Sequence, residues 1–462
     1  MATISTSGAV LDVNKLVTQL VAAERSTTDQ RINRDTARVS TEFTALATLK
    51  GAMSAFQTTL YSLRAADAFQ PRKVTSGDEA AFTASATTKA AAGRYDVEVF
   101  QLATASRLGS GLYAGGATDK VGSGKLSISV GDKSFSIDIA ADDTLADVRD
   151  AINAAKDNTG VRATLIRDTA GTGSYLVLTG TKTGDDYEVS VSATDTDAEG
   201  DLDRLVQDLM DIDPDRDVVA QPAIVFISGY EIHSQSNTIS DAIDGVTLNL
   251  KTAEQGTQVS LSVERDDSTI QKRAESFVSA YNALAQQIAS LSRYDATTKT
   301  AGPLLGDSML RGLDSQMRRI LSATVSGAAG DYTTLASLGI TTTGSGTLQL
   351  DAKRFRDALD ADPVGVAQVF SAAESGVAVR MSTFLDAKLS STGELASRDQ
   401  RIAAKRRDLQ DQTAALDARM QVLQERYMKQ FSALDAMLAQ MQSTSGYLAQ
   451  QLTALSNLNR RD

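Results

Sequence analysis

Residues 395–458 read LASRDQRIAAKRRDLQDQTAALDARMQVLQERYMKQFSALDAMLAQMQSTSGYLAQQLTALSNL, and their apolar residues recur at helical spacing. The intervals alternate between three and four residues or are sums of these, which is typical of a coiled coil. Because the stretch has no proline and only one glycine, Gly446, it predicts a continuous helix about 96 Å long. The apolar positions are Ile402, Leu409, Leu416, Met420, Leu423, Tyr427, Phe431, Leu434, Leu438, Met441, Leu448, Leu452 and Leu455.

Two features divide this helix. Ser391 and Glu394 stand at the spacing of a capping box, which predicts the N-terminus of the helix just after Ser391. At Leu423, Tyr427 and Phe431 two four-residue intervals follow each other, and such an insertion locally unwinds a supercoil. We therefore expect a part nearer the globular body and a mobile distal part beyond Phe431.

The first residues of the chain carry a weaker version of the same stripe. It ends near Phe69-Gln70-Pro71, since a proline disfavours helix in the residue before it. Two ordinary amphipathic helices covering one core are the simpler alternative. A helix of about 64 residues is too long for one core, so part of its stripe should contact the other terminus, a second copy or a different protein. The N-terminal positions are Val13, Leu16, Val17, Leu20, Ile32, Val39, Phe43, Leu46, Leu49, Met53, Phe56, Leu60 and Leu63.

Composition excludes several classes of protein. A net charge of −12 disfavours nucleic acid or an anionic membrane as the main partner, and the basic cluster at 398–407 is better explained as a solvated helix face. The absence of cysteine excludes disulfides, thiolate catalysis and cysteine-type zinc sites. The N-terminus lacks the basic start and apolar core of a cleaved signal peptide, and no apolar run reaches transmembrane length.

No motif in the sequence indicates catalysis. His233 is the only histidine, which excludes multi-histidine metal sites. The segment 122–125, Gly-Ser-Gly-Lys, is followed by Leu126 where a phosphate loop needs a hydroxyl, so hairpin turn chemistry explains it better. The acidic segment 195–217 begins like a calcium loop but has Val206 where a bidentate glutamate belongs, which favours a solvated loop with a short helix over 202–210. We predict no enzyme activity, no cofactor and no metal.

The middle of the chain alternates between apolar and polar residues, as strands do. Residues 126–130 and 135–139 flank Gly131-Asp132-Lys133 and predict a hairpin. If strands near Tyr95 pair with those near Val246 and Val259, a lobe over 109–221 is an insertion within the first β domain. The helical period returns at Thr269. The predicted fold class is therefore α+β and multidomain, with long terminal coiled-coil helices, a helical body and two β-rich domains inserted between them.

Short motifs along the whole chain carry a family likeness. Their order and spacing resemble the bacterial flagellar filament-capping protein, also called flagellar hook-associated protein 2. The acidic region 195–217 and the Gln221-Pro222-Ala223 junction depart from the family pattern, so no family contact is assigned there. The motifs are Ser7-Gly8, Leu11-Asp12-Val13, Leu16-Val17, Leu20, Ala23-Glu24, Leu49-Lys50, Phe56-Gln57, 93–99 (GRYDVEV), 101–103 (QLA), 236–239 (SNTI), 243–250 (IDGVTLNL), 335–340 (LASLGI), 346–348 (GTL) and Leu350-Asp351.

The resemblance implies a non-enzymatic, extracellular assembly factor. It would form a ring of identical subunits at the flagellum tip, promote flagellin insertion and folding, and be required for filament elongation. The implied partners are further copies of the chain, flagellin, the hook-filament junction protein and an export chaperone at the C-terminus, with neither nucleic acid nor membrane insertion. Type III export without a cleaved signal peptide suits a chain that lacks cysteine. Two alternatives stay open, a hook-filament junction protein and a surface adhesin of the flagellum.

The resemblance also names the parts as terminal legs, a helical body and β heads. The predicted bounds are 1–40 for the N-terminal leg helix, 41–70 and 267–430 for the helical body, 71–108 and 222–266 for the first β head, 109–221 for the second, inserted β head, and 431–462 for the C-terminal leg helix. The predicted leg contacts are Leu11, Leu16, Leu20, Leu438, Leu448, Leu452 and Leu455. The predicted packing residues of the body are Phe43, Leu46, Phe56, Phe277, Tyr281 and Leu284.

Overall fold

The structure is a computed structural model that describes residues 12–196, 201–297, 299–328 and 330–458, with side chains described up to residue 453. Its α-helices are α1 Val13–Tyr61, α2 Leu145–Ala154, α3 Asp201–Met210, α4 Asp267–Ser292, α5 Ser308–Ser322, α6 Ala352–Ala361, α7 Pro363–Ser371, α8 Val377–Leu389 and α9 Glu394–Leu458. Short 3-10 helices lie at Ala66–Phe69, Gly116–Thr118 and Asp185–Tyr187.

The strands fall almost entirely in the middle of the chain. They are β1 Arg72–Ser76, β2 Phe82–Ala86, β3 Gly93–Gln101, β4 Ala105–Gly109, β5 Gly124–Val130, β6 Lys133–Ile139, β7 Val161–Arg167, β8 Ser174–Thr183, β9 Val189–Asp195, β10 Ala223–Ile227, β11 Tyr230–Ser234, β12 Thr238–Ile243, β13 Val246–Leu250, β14 Val259–Arg265, β15 Tyr294–Asp295, β16 Thr300–Ala301, β17 Ile340–Thr342 and β18 Leu348–Leu350. Long helices near both ends of the chain and β-rich domains in the middle of the sequence confirm the predicted fold class.

The chain divides into two compact units, one formed by Met1–Phe69 with Gln271–Asp462 and the other by Gln70–Ile270. In the first, helical unit, α1 begins after Asp12, whose carboxylate accepts a hydrogen bond from the Lys15 backbone N–H at 3.0 Å. The helix α9 begins at Glu394, two residues later than a capping box at Ser391 requires. The Glu394 carboxylate instead pairs with Lys388 at 2.7 Å. From there α9 continues through Tyr427 to Leu458 without interruption.

An aromatic cluster forms part of the core of the helical unit. The ring of Phe56 on α1 lies 5.7 Å from that of Phe277 and 5.9 Å from that of Tyr281, both on α4. Phe277 in turn meets Phe370 of α7 edge-on at 5.6 Å. The Tyr281 hydroxyl donates to the Gly346 carbonyl at 3.3 Å, and burial raises the pKa of this tyrosine. The cluster therefore joins helices that are distant in sequence.

In the β-rich unit, a five-stranded antiparallel sheet has the order β1-β14-β3-β10-β11, and a three-stranded sheet has the order β12-β13-β2. Apolar residues of both sheets share one core. Tyr95 pairs with Leu261 of β14, whereas Val246 pairs with Ala86 of β2. The expected pairing of the strand near Tyr95 with the strand near Val259 is therefore confirmed, whereas its pairing with the strand near Val246 is wrong, because β13 belongs to the other sheet.

A second core lies between residues 108 and 209. Two three-stranded sheets, with the orders β6-β5-β9 and β4-β8-β7, enclose it together with α2 and α3. The predicted hairpin is present as β5 and β6. Gly131 in its turn has a φ of 54°, and a Cβ there would lie 2.1 Å from the Asp186 carbonyl oxygen, so the turn requires glycine. The boundaries drawn at residues 109 and 221 from the sequence stay predictions.

The side chain of Asn153 protects the outer edge of this second core. Its amide group exchanges two hydrogen bonds with the backbone of Ala163 in β7, at 2.8 and 3.0 Å, as a neighbouring strand would. An exposed row of backbone donors and acceptors is a template for unwanted strand pairing. Asn153 on α2 therefore covers part of an edge that β7 would otherwise present.

Candidate partner-binding surface

The helices α1 and α9 pair in antiparallel orientation within the helical unit. The Lys50 ammonium meets the Asp399 carboxylate at 2.5 Å, and the Arg25 guanidinium meets the Asp417 carboxylate at 2.6 Å. Residue numbers fall along α1 as they rise along α9, which shows that the two helices run in opposite directions. Exposed ion pairs contribute little stability, so the apolar seam between the helices supplies most of it.

Arg398 of α9 connects three segments of the helical unit. Its Nε and Nη2 donate to Glu42 of α1 at 3.2 and 2.8 Å, and its Nη1 donates to Asp307 Oδ2. The other oxygen of Asp307 caps α5 by accepting from the backbone N–H groups of Met309 and Leu310 at 2.9 and 3.3 Å. Burial lowers the pKa of Arg398, but hydrogen bonds to Glu42 and Asp307 outweigh this effect and raise it.

The prediction of a solvated basic face is therefore wrong for Arg398, whose side chain is only 17% exposed. Its two partners lie 356 and 91 residues away in sequence, so no local pattern could reveal the contact. In the sequence, Arg398 is simply a charged residue at the edge of an apolar stripe. Many solvated residues have the same position, so this feature does not predict burial.

Burial changes along α9. The apolar residues of its first part are buried, and those of its distal part are between 38 and 68% exposed. The buried residues are Leu395, Ile402, Leu409, Leu416 and Met420. The exposed residues are Val422, Leu434, Met437, Leu438, Met441, Tyr447, Leu448 and Leu452. We call the apolar positions Leu434, Leu438, Met441, Leu448 and Leu452 the distal stripe; among the described residues nothing buries them.

The described leg residues predicted near the N-terminus lie apart from those predicted near the C-terminus within one chain. Leu16 is half-buried and Leu20 is exposed. Measured from the Arg25–Asp417 pair, Leu16 lies 9 residues along α1 and Leu448 lies 31 residues along α9 in the same direction, which separates them by about 33 Å at 1.5 Å per residue. Measured from the Lys50–Asp399 pair, the separation is about 22 Å. Leu11 and the side chain of Leu455 lie outside the described residues. Leu438, Leu448 and Leu452 belong to the distal stripe instead.

The predicted packing residues of the body differ in how far they are buried. Leu46, Phe56, Phe277, Tyr281 and Leu284 are all completely buried. Phe43 departs from the expectation because its side chain is 41% exposed. The guanidinium of Arg406 lies 5.2 Å from the centre of the Phe43 ring, which is a cation–π contact at the surface.

His233 and Lys125 each pair with a carboxylate of the same strand or hairpin. His233 is exposed and pairs with the Glu231 carboxylate at 2.8 Å. Lys125 lies in the hairpin, 3.5 Å from Asp138. Within the described ranges, no group of three or more acidic, histidine or cysteine side chains could hold a metal ion. No described helix is long and apolar enough to cross a membrane.

The acidic segment contains the predicted short helix, α3, although Asp197 and Glu199 lie outside the described residues. Asp217 is buried and accepts hydrogen bonds from the backbone N–H groups of Gly109 and Asp213 at 2.7 and 2.8 Å. Its carboxylate thus holds β4 to the loop after α3. This contact gives at least one of the acidic residues a structural role.

Comparison with known proteins identifies the chain. The family model for the flagellar hook-associated protein 2 N-terminus matches residues 9–106, and the model for the C-terminus of the same protein matches residues 220–443. A third model, the flagellin hook IN motif, matches residues 125–182, which include the β5–β6 hairpin. The fold and these matches define a structural protein of the bacterial flagellum.

Relatives along the whole chain give its family. The B-type flagellar hook-associated protein 2 of Pseudomonas aeruginosa is 34% identical, over 98% of this chain and 98% of its own length. The flagellar hook-associated protein 2 of Escherichia coli K12 is 34% identical, over 99% of this chain and 100% of its own length. The chain therefore belongs to the flagellar hook-associated protein 2 family, which confirms the resemblance read from the sequence.

A solved structure supports the same conclusion for the fold. The D1-D2-D3 domains of the flagellar cap protein FliD from Escherichia coli superpose with a TM-score of 0.65 at 34% sequence identity. The match covers 78% of this chain and 99% of the solved chain.

Proposed function

We propose that this protein caps the growing flagellar filament. Copies of the chain form a ring at the filament tip, and the ring promotes insertion and folding of flagellin and is required for filament elongation. The single observation that carries this proposal is the distal stripe, a long exposed apolar surface on a helix that extends past the end of its partner α1. Family membership and the likeness to the solved cap protein support the location.

The energetics of the distal stripe suit repeated binding and release. Burying a leucine side chain fully contributes about 1.5–3 kcal/mol, so completing the burial of one that is half exposed contributes about 1 kcal/mol. A few such leucines give a contact that holds a subunit in place but can exchange as each flagellin is added. The sequence has no charged residue between Asp435 and Arg460, so apolar contact dominates recognition along this stretch.

The role of a filament cap also implies the parts of this protein and its partners. The distal part of α9, from Phe431, is the C-terminal leg, and the two β cores belong to two heads. The legs contact neighbouring copies, flagellin and the hook-filament junction protein, and an export chaperone binds near the C-terminus before export. The protein leaves the cell by the flagellar export route without loss of a signal peptide. A flagellin hook IN motif in the second lobe supports its role in a flagellar assembly.

A charge placed on the distal stripe tests this function. The variant Leu448→Asp/Leu452→Asp should remain folded, because both side chains are more than half exposed, but should lose ring formation and filament growth. The matched control is Ser443→Asp/Gln450→Asp, which adds the same charge to the same helix on the opposite face. Filament length in a strain that lacks its own capping protein gives the functional readout.

Two further measurements make the result decisive. Mass photometry of the purified full chain measures ring formation, and far-UV circular dichroism shows whether both variants keep their helices. Normal filaments with the stripe variant would contradict the proposal. Equal loss with the control variant would also contradict it, because the effect would then come from charge on α9 and not from the stripe.

A further inference from the structure

The described methionines of this chain differ widely in their exposure to solvent, and Met309 and Met428 are half-buried. Met437 and Met441 on distal α9 are 62 and 60% exposed. Met53, Met317, Met381 and Met420 are buried. Met210 of α3 is also exposed, but it lies in the β-rich unit. A thioether reacts with peroxide only where the peroxide can reach it, so the structure predicts strongly unequal reactivity among these residues.

The composition of the chain makes methionine the main target of an oxidant. The chain has no cysteine, so no thiol competes for an oxidant. It also has no tryptophan and one histidine, which leaves the methionine thioether as the side chain that a hydroperoxide oxidises most readily.

Oxidation of the two exposed methionines of α9 would change the apolar surface of the distal stripe. Met441 is a member of the distal stripe, between Leu438 and Leu448. Met437 lies one helical turn before Met441, and residues four apart share one side of a helix. Any partner that covers the stripe at this level must therefore bury at least one of the two sulfur atoms.

We propose that Met441, together with Met437, is a reversible oxidation site that controls the binding of a second copy of this chain to the distal stripe; the inference rests on the proposed function. Hydrogen peroxide is the oxidant. The sulfur lone pair attacks one peroxide oxygen, an S–O bond forms, the O–O bond breaks, and the second oxygen leaves as water after proton transfer. The sulfur loses two electrons, the peroxide gains them, and the product is methionine sulfoxide.

A sulfoxide weakens the contact because its oxygen requires a hydrogen-bond donor. The stripe residues on either side, Leu438 and Leu448, offer only hydrocarbon. Burying a polar group without a partner is unfavourable, and one sulfoxide at this position should reduce association about tenfold. A methionine sulfoxide reductase transfers two electrons from two thiols to the sulfoxide, which yields the thioether, a disulfide and water, and this reduction should restore binding.

The test uses the full chain and hydrogen peroxide itself. Mass spectrometry of digested samples follows sulfoxide formation over time, and mass photometry measures ring formation by the same samples. We expect Met437 and Met441 to oxidise at least tenfold faster than Met53, Met317, Met381 and Met420. We expect ring formation to fall as Met441 oxidises and to recover after treatment with methionine sulfoxide reductases.

Two leucine variants separate this inference from the proposed function. Met437→Leu/Met441→Leu keeps the stripe apolar and should form rings that peroxide does not disrupt. Met210→Leu, at the exposed site in the β-rich unit, should remain as sensitive as the unmodified sequence. Untreated protein that forms no ring contradicts the proposed function and this inference together. If peroxide disrupts the rings of the Met437→Leu/Met441→Leu variant as strongly as those of the unmodified sequence, the inference alone is overturned. Equal oxidation rates at buried and exposed methionines would overturn it as well.

Discussion

Replacing Arg398 with methionine tests the ion-pair network that joins α1, α5 and α9. Methionine keeps most of the apolar stem of arginine but removes the guanidinium, which leaves the carboxylates of Glu42 and Asp307 without their shared cation. Breaking a buried ion pair costs about 3–5 kcal/mol. Glu42 is about one-third exposed, so water screens part of this loss, and we expect a destabilisation of about 2–3 kcal/mol.

Thermal unfolding of the full chain measures this effect. Far-UV circular dichroism at the helix band reports mainly on the helical unit, for which 1 kcal/mol corresponds to about 2–4 °C, so Arg398→Met should lower its Tm by about 5–10 °C. Hydrogen exchange at 308–322 should rise in the same variant, because Asp307 also caps α5. The matched control is Arg407→Met, which removes a charge from an exposed position on the same helix.

A second substitution separates loss of the ion pair from loss of packing. Asparagine caps helices about as well as aspartate, so Asp307→Asn retains the cap of α5 and removes the charge that Arg398→Met leaves unpaired. The double variant should recover about 1 kcal/mol relative to Arg398→Met. A Tm change below 2 °C for Arg398→Met would refute the reasoning, since such a value is typical of an exposed side chain. A double variant less stable than Arg398→Met would refute it as well.

Two further predictions concern stability. Leu46→Ala should cost about 3 kcal/mol because the side chain is completely buried, whereas Phe43→Ala should cost about 1 kcal/mol; urea unfolding of the full chain compares them, and equal costs would restore Phe43 to the core. Hydrogen bonds from Ser268 and Thr269 lower the pKa of Asp266 to about 2, below the ordinary value of 3.8. The stability from ionised Asp266 is therefore present above pH 4 and lost as the pH falls toward 2, and hydrogen exchange at the start of α4 should show this pH dependence in the unmodified chain but not in Asp266→Asn.

Periodicity in the sequence predicted the elements well because it reports local structure. The spacing of apolar residues gave α1 and α9, and alternation with a glycine turn gave the β5–β6 hairpin. A helix places every third or fourth side chain on one face, and a strand places every second one there, whatever those faces later contact. The same pattern also gave α3 within the acidic segment, where its apolar residues Leu202, Leu205 and Leu209 enter the second core.

The spacing of apolar residues could not predict contacts between segments that are distant in the sequence. The pairing of Val246 with β2 and not with the strand of Tyr95 depends on how two sheets divide the strands, which alternation cannot encode. The exposure of Phe43 depends on where α9 crosses α1, since its spacing is identical to that of a core residue. The separation of Leu16 from Leu448 within one chain could not be read from the sequence either, because the register of the helix pair is set by the whole interface and not by either stripe alone.

The register of the helix pair also explains why the described part of α1 leaves the distal stripe exposed. Ion pairs such as Arg25–Asp417 fix α9 against α1, and α1 begins at Val13, a short distance beyond this contact. The apolar spacing of α9 continues past this point, whereas the charges stop between Asp435 and Arg460. Charges flanking a coiled-coil seam normally select the partner and the register. Without them, we expect selection of a partner by distal α9 to depend on shape and apolar contact, so a single polar atom at Met441 should be sufficient to impair it.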